Sequence, residues 1–147
     1  MQRWLGVIVA LVVGITPASA STRQIIEDDP GGILFEYVAK YVQWGKDEDT
    51  VRIEGDCYSA CTTLFGFIPL THICATRNAQ FGFHSASEGL GGAYSEDGTL
   101  VLWALYSPKV RAVLAKHGWE KASYHPDLLL IDAQEIVKPC KWEDYHG

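Results

Sequence analysis

Short apolar blocks with the two-residue period of a strand alternate along this chain with longer stretches whose apolar positions recur at helical spacing. Residues 22–27 read as a strand ending at Asp28-Asp29-Pro30-Gly31-Gly32. Beyond them Ile33, Leu34, Tyr37, Val38, Tyr41 and Val42 recur every three or four positions, which predicts a helix beginning at the glycines. Gly45 and Lys46-Asp47-Glu48-Asp49 make a charged turn into a strand at 50–54, and 59–67 is apolar enough for a buried helix that stops before Pro69. Residues 72–75 and 80–84 supply two more short strands. Residues 85–98, with Gly89, Gly91, Gly92 and Gly98, predict a mobile loop beside any site at the strand ends. Two helical pieces follow at 99–106 and 108–117, where Ser107-Pro108 is an N-cap followed by a first-turn proline and Gly118 is the stop. A last strand at 128–131 precedes Asp132, which caps a short helix running to Val137. Strand and helix alternating with short connections predict an α/β domain of parallel strands with helices packed on a small sheet.

The N-terminus stands apart from this alternation. Arg3 precedes an apolar stretch at 4–15, followed by Thr16-Pro17-Ala18-Ser19-Ala20, the pattern of a signal peptide with an Ala-x-Ala cleavage site. Twelve apolar residues fall short of the roughly 20 that a spanning helix needs, so no stable membrane span is expected after cleavage. The reading is therefore a leader at 1–20 and one domain at 21–147, secreted or periplasmic. Its 12 Lys and Arg against 18 Asp and Glu, with no basic cluster, argue against a nucleic-acid partner. Cys57, Cys61, Cys74 and Cys140 form an even set, which in an exported chain predicts disulfides, with three pairings open. Cys57, Cys61, His72 and Cys74 match no common zinc-finger spacing, and no metal is expected.

Candidate chemistry gathers at strand ends. Ser59 follows the strand at 50–54 and opens the apolar segment; His84 closes the strand at 80–84. A serine is a poor nucleophile until a neighbouring base takes its proton, and a serine at a strand-to-helix turn exposes its oxygen beside free backbone N–H groups. The N–H of Ala60 with that of Gly31 or Gly32 supplies an oxyanion hole, since glycines let bare backbone approach a substrate carbonyl. The plainer reading makes Ser59 a helix cap and His84 a core histidine.

Asp29-Pro30-Gly31-Gly32 opening a helix, a strand followed by Gly55-x-x-x-Ser59-Ala60, and a strand ending in Phe83-His84 resemble the proteolytic subunit of the Clp protease and its relatives in the crotonase-like superfamily. The 25-residue step from Ser59 to His84 is similar to that family's serine-to-histidine spacing, and the segment 71–79 resembles its approach to the histidine. The resemblance implies a crotonase-like α/β fold with Ser59 as nucleophile, His84 as general base, and Gly32 and Ala60 as the oxyanion hole. It implies an aspartate before the late strand, for which Asp127 is the nearest match and Asp132 the substitute. The family's ring-building insertion is replaced here by the Gly-rich loop and the Ser107-Pro108 helices, so no stacked chamber is implied and homo-oligomerisation stays open. Cys57 and Cys61 flank the nucleophile where the cytosolic family has small or apolar residues, and they are expected to lock the serine turn by bridges to Cys74 or Cys140.

The expected function is an exported serine hydrolase without a cofactor, its substrate a peptide or protein. The competing class is a catalytically degenerate relative that binds or builds structure in the periplasm.

Overall fold

The computed structural model describes residues 21–89 and 92–141; the signal-peptide reading of residues 1–20 lies outside them. In chain order the described elements are β1 (Arg23–Ile26), α1 (Leu34–Lys46), β2 (Thr50–Ile53), β3 (Cys57–Tyr58), a 3₁₀ helix at Ser59–Gly66, a 3₁₀ turn at Leu70–His72, β4 (Ile73–Ala75), β5 (Gln80–Phe83), α2 (Glu96–Leu105), α3 (Pro108–Lys116), β6 (Leu129–Asp132), a 3₁₀ turn at Ala133–Glu135 and β7 (Lys138–Pro139). Among the described residues no helix is long and apolar enough to cross a membrane.

The α/β alternation holds, but the strands form two sheets instead of the expected one. One is entirely parallel, in the order β1-β2-β4-β7, with Ile26 beside Ile53, Ile53 beside Ala75 and Ala75 beside Pro139. The other has the order β3-β5-β6: β3 runs parallel to β5, while β6 pairs antiparallel with it, Phe83 opposite Leu129 and Gln80 opposite Asp132. The chain changes sheets at Gly55-Asp56, where Asp29 and Cys57 form a single parallel bridge between the segment after β1 and β3. One buried cluster serves both sheets: Ile26, Val51, Ile53, Ile73 and Ala75 from the first, Phe81, Phe83 and Ile131 from the second. Tyr41 of α1 and Leu64 of the 3₁₀ helix are fully buried in it. Each such side chain withdrawn from water contributes about 1.5–3 kcal/mol.

The segment after Ser59 is buried as expected but winds as 3₁₀ instead of α. Its threonines supply a reason: Thr62 Oγ1 donates to the carbonyl of Ser59 at 2.7 Å, and Thr63 Oγ1 to that of Ala60 at 2.7 Å. Hydroxyls that bond back to the chain compete for carbonyls an α-helix would use, and tight i→i+3 winding accommodates them. Helix α2 starts at Glu96, three residues before the predicted 99, because Ser95 caps it by accepting from the Gly98 N–H at 3.2 Å. Helix α3 is bounded as the sequence predicts: Ser107 Oγ accepts from Val110 N–H, Pro108 is the first residue, and Gly118 at φ +91° follows the end. After β6 the expected helix to Val137 contracts to Ala133–Glu135, with Asp132 capping it through Gln134 N–H at 2.9 Å, and the chain then joins the parallel sheet as β7.

All four cysteines are bridged, but not in the expected pattern. Cys57 pairs with Cys61 and Cys74 with Cys140. The tight 3₁₀ turn brings Cys57 and Cys61 to a Cα separation of 5.4 Å, and the β4–β7 pairing brings Cys74 and Cys140 to 4.8 Å, both within bridging range. The serine turn is therefore locked onto itself instead of to Cys74 or Cys140.

Candidate active site

Ser59 sits where β3 passes into the 3₁₀ helix, with φ at +55°. A non-glycine residue in the left-handed region costs on the order of 1–3 kcal/mol and persists only where its surroundings enforce it. Three contacts do so here. The Cys57–Cys61 bridge closes the turn from both sides of Ser59. The Ser59 carbonyl is held by Thr62 Oγ1, which spends its proton there, so the buried Tyr106 hydroxyl is the donor in its 2.9 Å bond to Thr62 Oγ1. The third contact is Gly31, at φ +83°: a Cβ on it would lie 2.5 Å from the Tyr58 carbonyl oxygen, 2.7 Å from Ser59 Cβ and 2.9 Å from Ala60 N. Only glycine lets the two segments approach this closely.

Asp29 holds the glycine turn in register with the serine turn. Its backbone N–H donates to the Asp56 carbonyl at 2.8 Å, and its own carbonyl accepts from Tyr58 N–H at 2.9 Å. Its carboxylate accepts from Gly31 N–H at 2.9 Å and from the Tyr37 hydroxyl at 2.6 Å, with Lys40 Nζ 3.9 Å from the second oxygen. Burial, with this carboxylate beside it, pushes the Tyr37 phenol well above its ordinary value. Burial also lowers the Lys40 ammonium, against the opposing pull of Asp29. Because Asp29 takes the Gly31 N–H, that group is not available to a substrate, which leaves Gly32 as the candidate of the two. Tyr58 donates to Asp56 Oδ2 at 2.6 Å, and this bond, ahead of burial, raises its hydroxyl to about 12.

Ser59, Ala60, Gly32 and His84 line one cavity of about 220 Å³, closed by Ile33, Leu34, Phe35 and Leu102. Among its described lining residues there is no Asp, Glu, Lys or Arg, and Phe35 at its rim is 77 % exposed. Four of the sequence-predicted residues thus meet. Among the hydrogen bonds of the described residues, none joins Ser59 Oγ to His84. What the two residues share is the lining of one cavity.

Neither Asp127 nor Asp132 is among the described lining residues of this cavity. His84 Nδ1 lies 2.6 Å from the backbone carbonyl of its neighbour Ser85. A carbonyl only accepts, so Nδ1 carries a proton, and in the neutral ring the lone pair is on Nε2. That is the tautomer a general base needs, set by a peptide oxygen where a carboxylate was expected. Asp127 is exposed, and its backbone carbonyl receives His125 Nδ1 at 3.0 Å. Asp132 is likewise exposed and occupied as the cap of its 3₁₀ turn. With every cysteine sulfur in a bridge, Cys57, Cys61 and Cys74 offer neither a nucleophilic thiol nor a metal ligand.

Sequence reasoning missed the Ser85 carbonyl, the Asp29 carboxylate and the Tyr106–Thr62 support. Asp29 carried a readable signal, since an aspartate two residues before a glycine is an Asx-turn pattern. A backbone acceptor such as Ser85 carries none. Compared with protein-family models and with curated proteins, the chain matches neither any model nor any protein.

Proposed function

We propose that this protein is an exported serine hydrolase in which Ser59 is the nucleophile, His84 the general base, and the N–H groups of Gly32 and Ala60 the oxyanion hole. The observation that carries the reading is the left-handed Ser59, held at a stapled strand-to-helix turn in the same cavity as a histidine whose free nitrogen is Nε2. In this mechanism His84 Nε2 takes the Ser59 proton as Oγ attacks the substrate carbonyl. The tetrahedral oxyanion is met by the two N–H groups, each worth about 3 kcal/mol of barrier by analogy with removal of such a donor elsewhere. The proton then passes from Nε2 to the departing nitrogen or oxygen, and water repeats the sequence to free the acyl group. An uncharged acyl pocket suits a peptide or ester of an apolar acid. The disulfides support export to the periplasm or beyond, and the strand-end serine, histidine and paired glycines support kinship with the Clp proteolytic subunit in the crotonase-like superfamily.

A peptide carbonyl stabilises an imidazolium less than a carboxylate does, so the proposed enzyme works as a Ser-His dyad, slower than a full triad. The absence of a Ser59–His84 hydrogen bond among the described residues favours the second reading, a degenerate binding protein. A fluorophosphonate probe separates the two. Mature protein is expected to label on one serine, Ser59→Ala to abolish the labelling, and His84→Ala to slow it by about 10²–10⁴. Folded protein that resists the probe is a binding protein.

A further inference from the structure

Thr99, in the first turn of α2, is fully buried. A buried hydroxyl has to be bonded, and Thr99 Oγ1 is bonded twice: it donates to the Ser95 carbonyl at 2.8 Å and accepts from the Ala86 N–H at 2.9 Å. The first bond is the ordinary one of a helical threonine, one turn back along its own chain. The second leaves the helix and reaches the backbone two residues beyond His84.

That second bond falls on a particular peptide. The Ala86 N–H and the Ser85 carbonyl belong to one peptide unit, which is planar and rigid, so the group that holds its N–H also fixes where its carbonyl points. This carbonyl is the one 2.6 Å from His84 Nδ1. Neighbouring bonds hold the same peptide from both ends. On one side the Ala86 carbonyl accepts from Ser95 N–H at 2.9 Å. On the other, Ser85 N–H donates to the His125 carbonyl at 2.8 Å, while Ser85 Oγ accepts from His125 N–H and donates to the Ser123 carbonyl at 3.2 Å. A line of hydrogen bonds thus runs from the Ser95 carbonyl through Thr99 Oγ1 and the Ser85–Ala86 peptide to the imidazole, each bond polarising the next.

Resting on the serine-hydrolase reading above, we propose that Thr99 is a positioning residue of the reaction: through the Ser85–Ala86 peptide it keeps His84 in the tautomer whose Nε2 takes the Ser59 proton. Which ring nitrogen of a histidine carries the proton is set by the bond the other makes. In a Ser-His-Asp triad a buried carboxylate makes that bond directly. Here the acceptor is a peptide oxygen, and a peptide deprived of its N–H partner is able to rotate and turn that oxygen away. The proton on Nδ1 stays in place throughout; only the proton taken from Ser59 and passed to the leaving atom moves, and it moves on Nε2. The line conveys orientation and polarisation to the ring. A threonine that served the fold alone would affect stability and leave the tautomer as it is.

The test reads the tautomer without turnover. Imidazole nitrogen NMR shifts of His84, identified by their loss in His84→Ala, are recorded at a pH where the ring is neutral. The Nδ1–H form is expected to dominate in the wild type and to lose ground to the Nε2–H form in Thr99→Val, which removes the hydroxyl from a side chain of the same shape. Thr99→Ser, which keeps the hydroxyl, is expected to restore it. Fluorophosphonate labelling of Ser59 should slow about tenfold in Thr99→Val, part of the 10²–10⁴ that a general base supplies, and recover in Thr99→Ser. A wild-type His84 found mainly as Nε2–H, or a tautomer unaltered in Thr99→Val, overturns the proposal, as does labelling of Thr99→Val at the wild-type rate. Should Thr99→Val fail to fold, Ser85→Ala loosens the same peptide from its other end and is judged by the same two readings. Should Ser59 of the wild type never label, the hydrolase reading has failed and the positioning role with it, while the tautomer still decides whether Thr99 holds the ring.

Discussion

The serine turn and the parallel sheet each carry one disulfide, and the two bridges do opposite work. Cys74–Cys140 joins adjacent strands across 66 residues, in regular backbone whose pairing already holds it together. Cys57–Cys61 spans four residues around a serine in the left-handed region, where the local backbone preference is unfavourable. Chain-entropy reasoning assigns the long bridge about 4 kcal/mol and the short one about 2 kcal/mol. The long bridge secures the fold; the short one secures a conformation that the fold alone disfavours.

The largest effect expected from breaking this contrast comes from the disulfides. Replacing Cys74 and Cys140 by alanine should cost about 4 kcal/mol in urea denaturation, with labelling of Ser59 retained wherever the protein stays folded. Replacing Cys57 and Cys61 should cost about half as much yet slow fluorophosphonate labelling far more, because the turn relaxes. Equal labelling rates in the two folded variants would show that the short bridge has no role in presenting Ser59.

Gly31→Ala probes the same turn without touching sulfur. A methyl group at φ +83° and 2.5 Å from the Tyr58 carbonyl combines a left-handed penalty with overpacking, together about 3 kcal/mol, and should displace the Ser59–Ala60 segment. The check is a urea melt beside the labelling rate; a neutral Gly31→Ala would mean that the two segments separate freely.

The smallest effect is expected at Asp127. Exposed, and with the Ser85 carbonyl already on His84 Nδ1, it should tolerate Asn within about 0.5 kcal/mol of stability and with the labelling rate unchanged. A loss approaching the 10⁴-fold seen when a triad aspartate is amidated would return Asp127 to the site in a substrate-bound arrangement.

What could be read from the letters follows the range of the forces involved. Helix α1 is written in the spacing of Leu34, Tyr37, Val38 and Tyr41, and α3 in Ser107-Pro108 and Gly118, because caps and amphipathic faces are local. Strands β3 and β7 have two residues each, too short for any period, and exist through their neighbours: Cys57 beside Phe81, Cys74 beside Lys138. The split into two sheets was invisible for the same reason. That Ser59, His84, Gly32 and Ala60 meet in one cavity was legible because strand ends are a sequence property. The partner of His84 was not, since a peptide oxygen is present at every residue and only the fold chooses among them.

The two bridges also divide the molecule into covalent rings. His84 belongs to the large ring closed by Cys74–Cys140, Ser59 to the small one closed by Cys57–Cys61, and residues 62–73 form the single strand of chain between them. A protease that nicks the Gly-rich stretch after Ser87 therefore opens the large ring without releasing a fragment: the cut protein runs as one piece until reduced and as two afterwards. Ser59 and His84 both precede such a cut, so they stay on one continuous piece, held together by the β3–β5 pairing with Tyr58 beside Gly82.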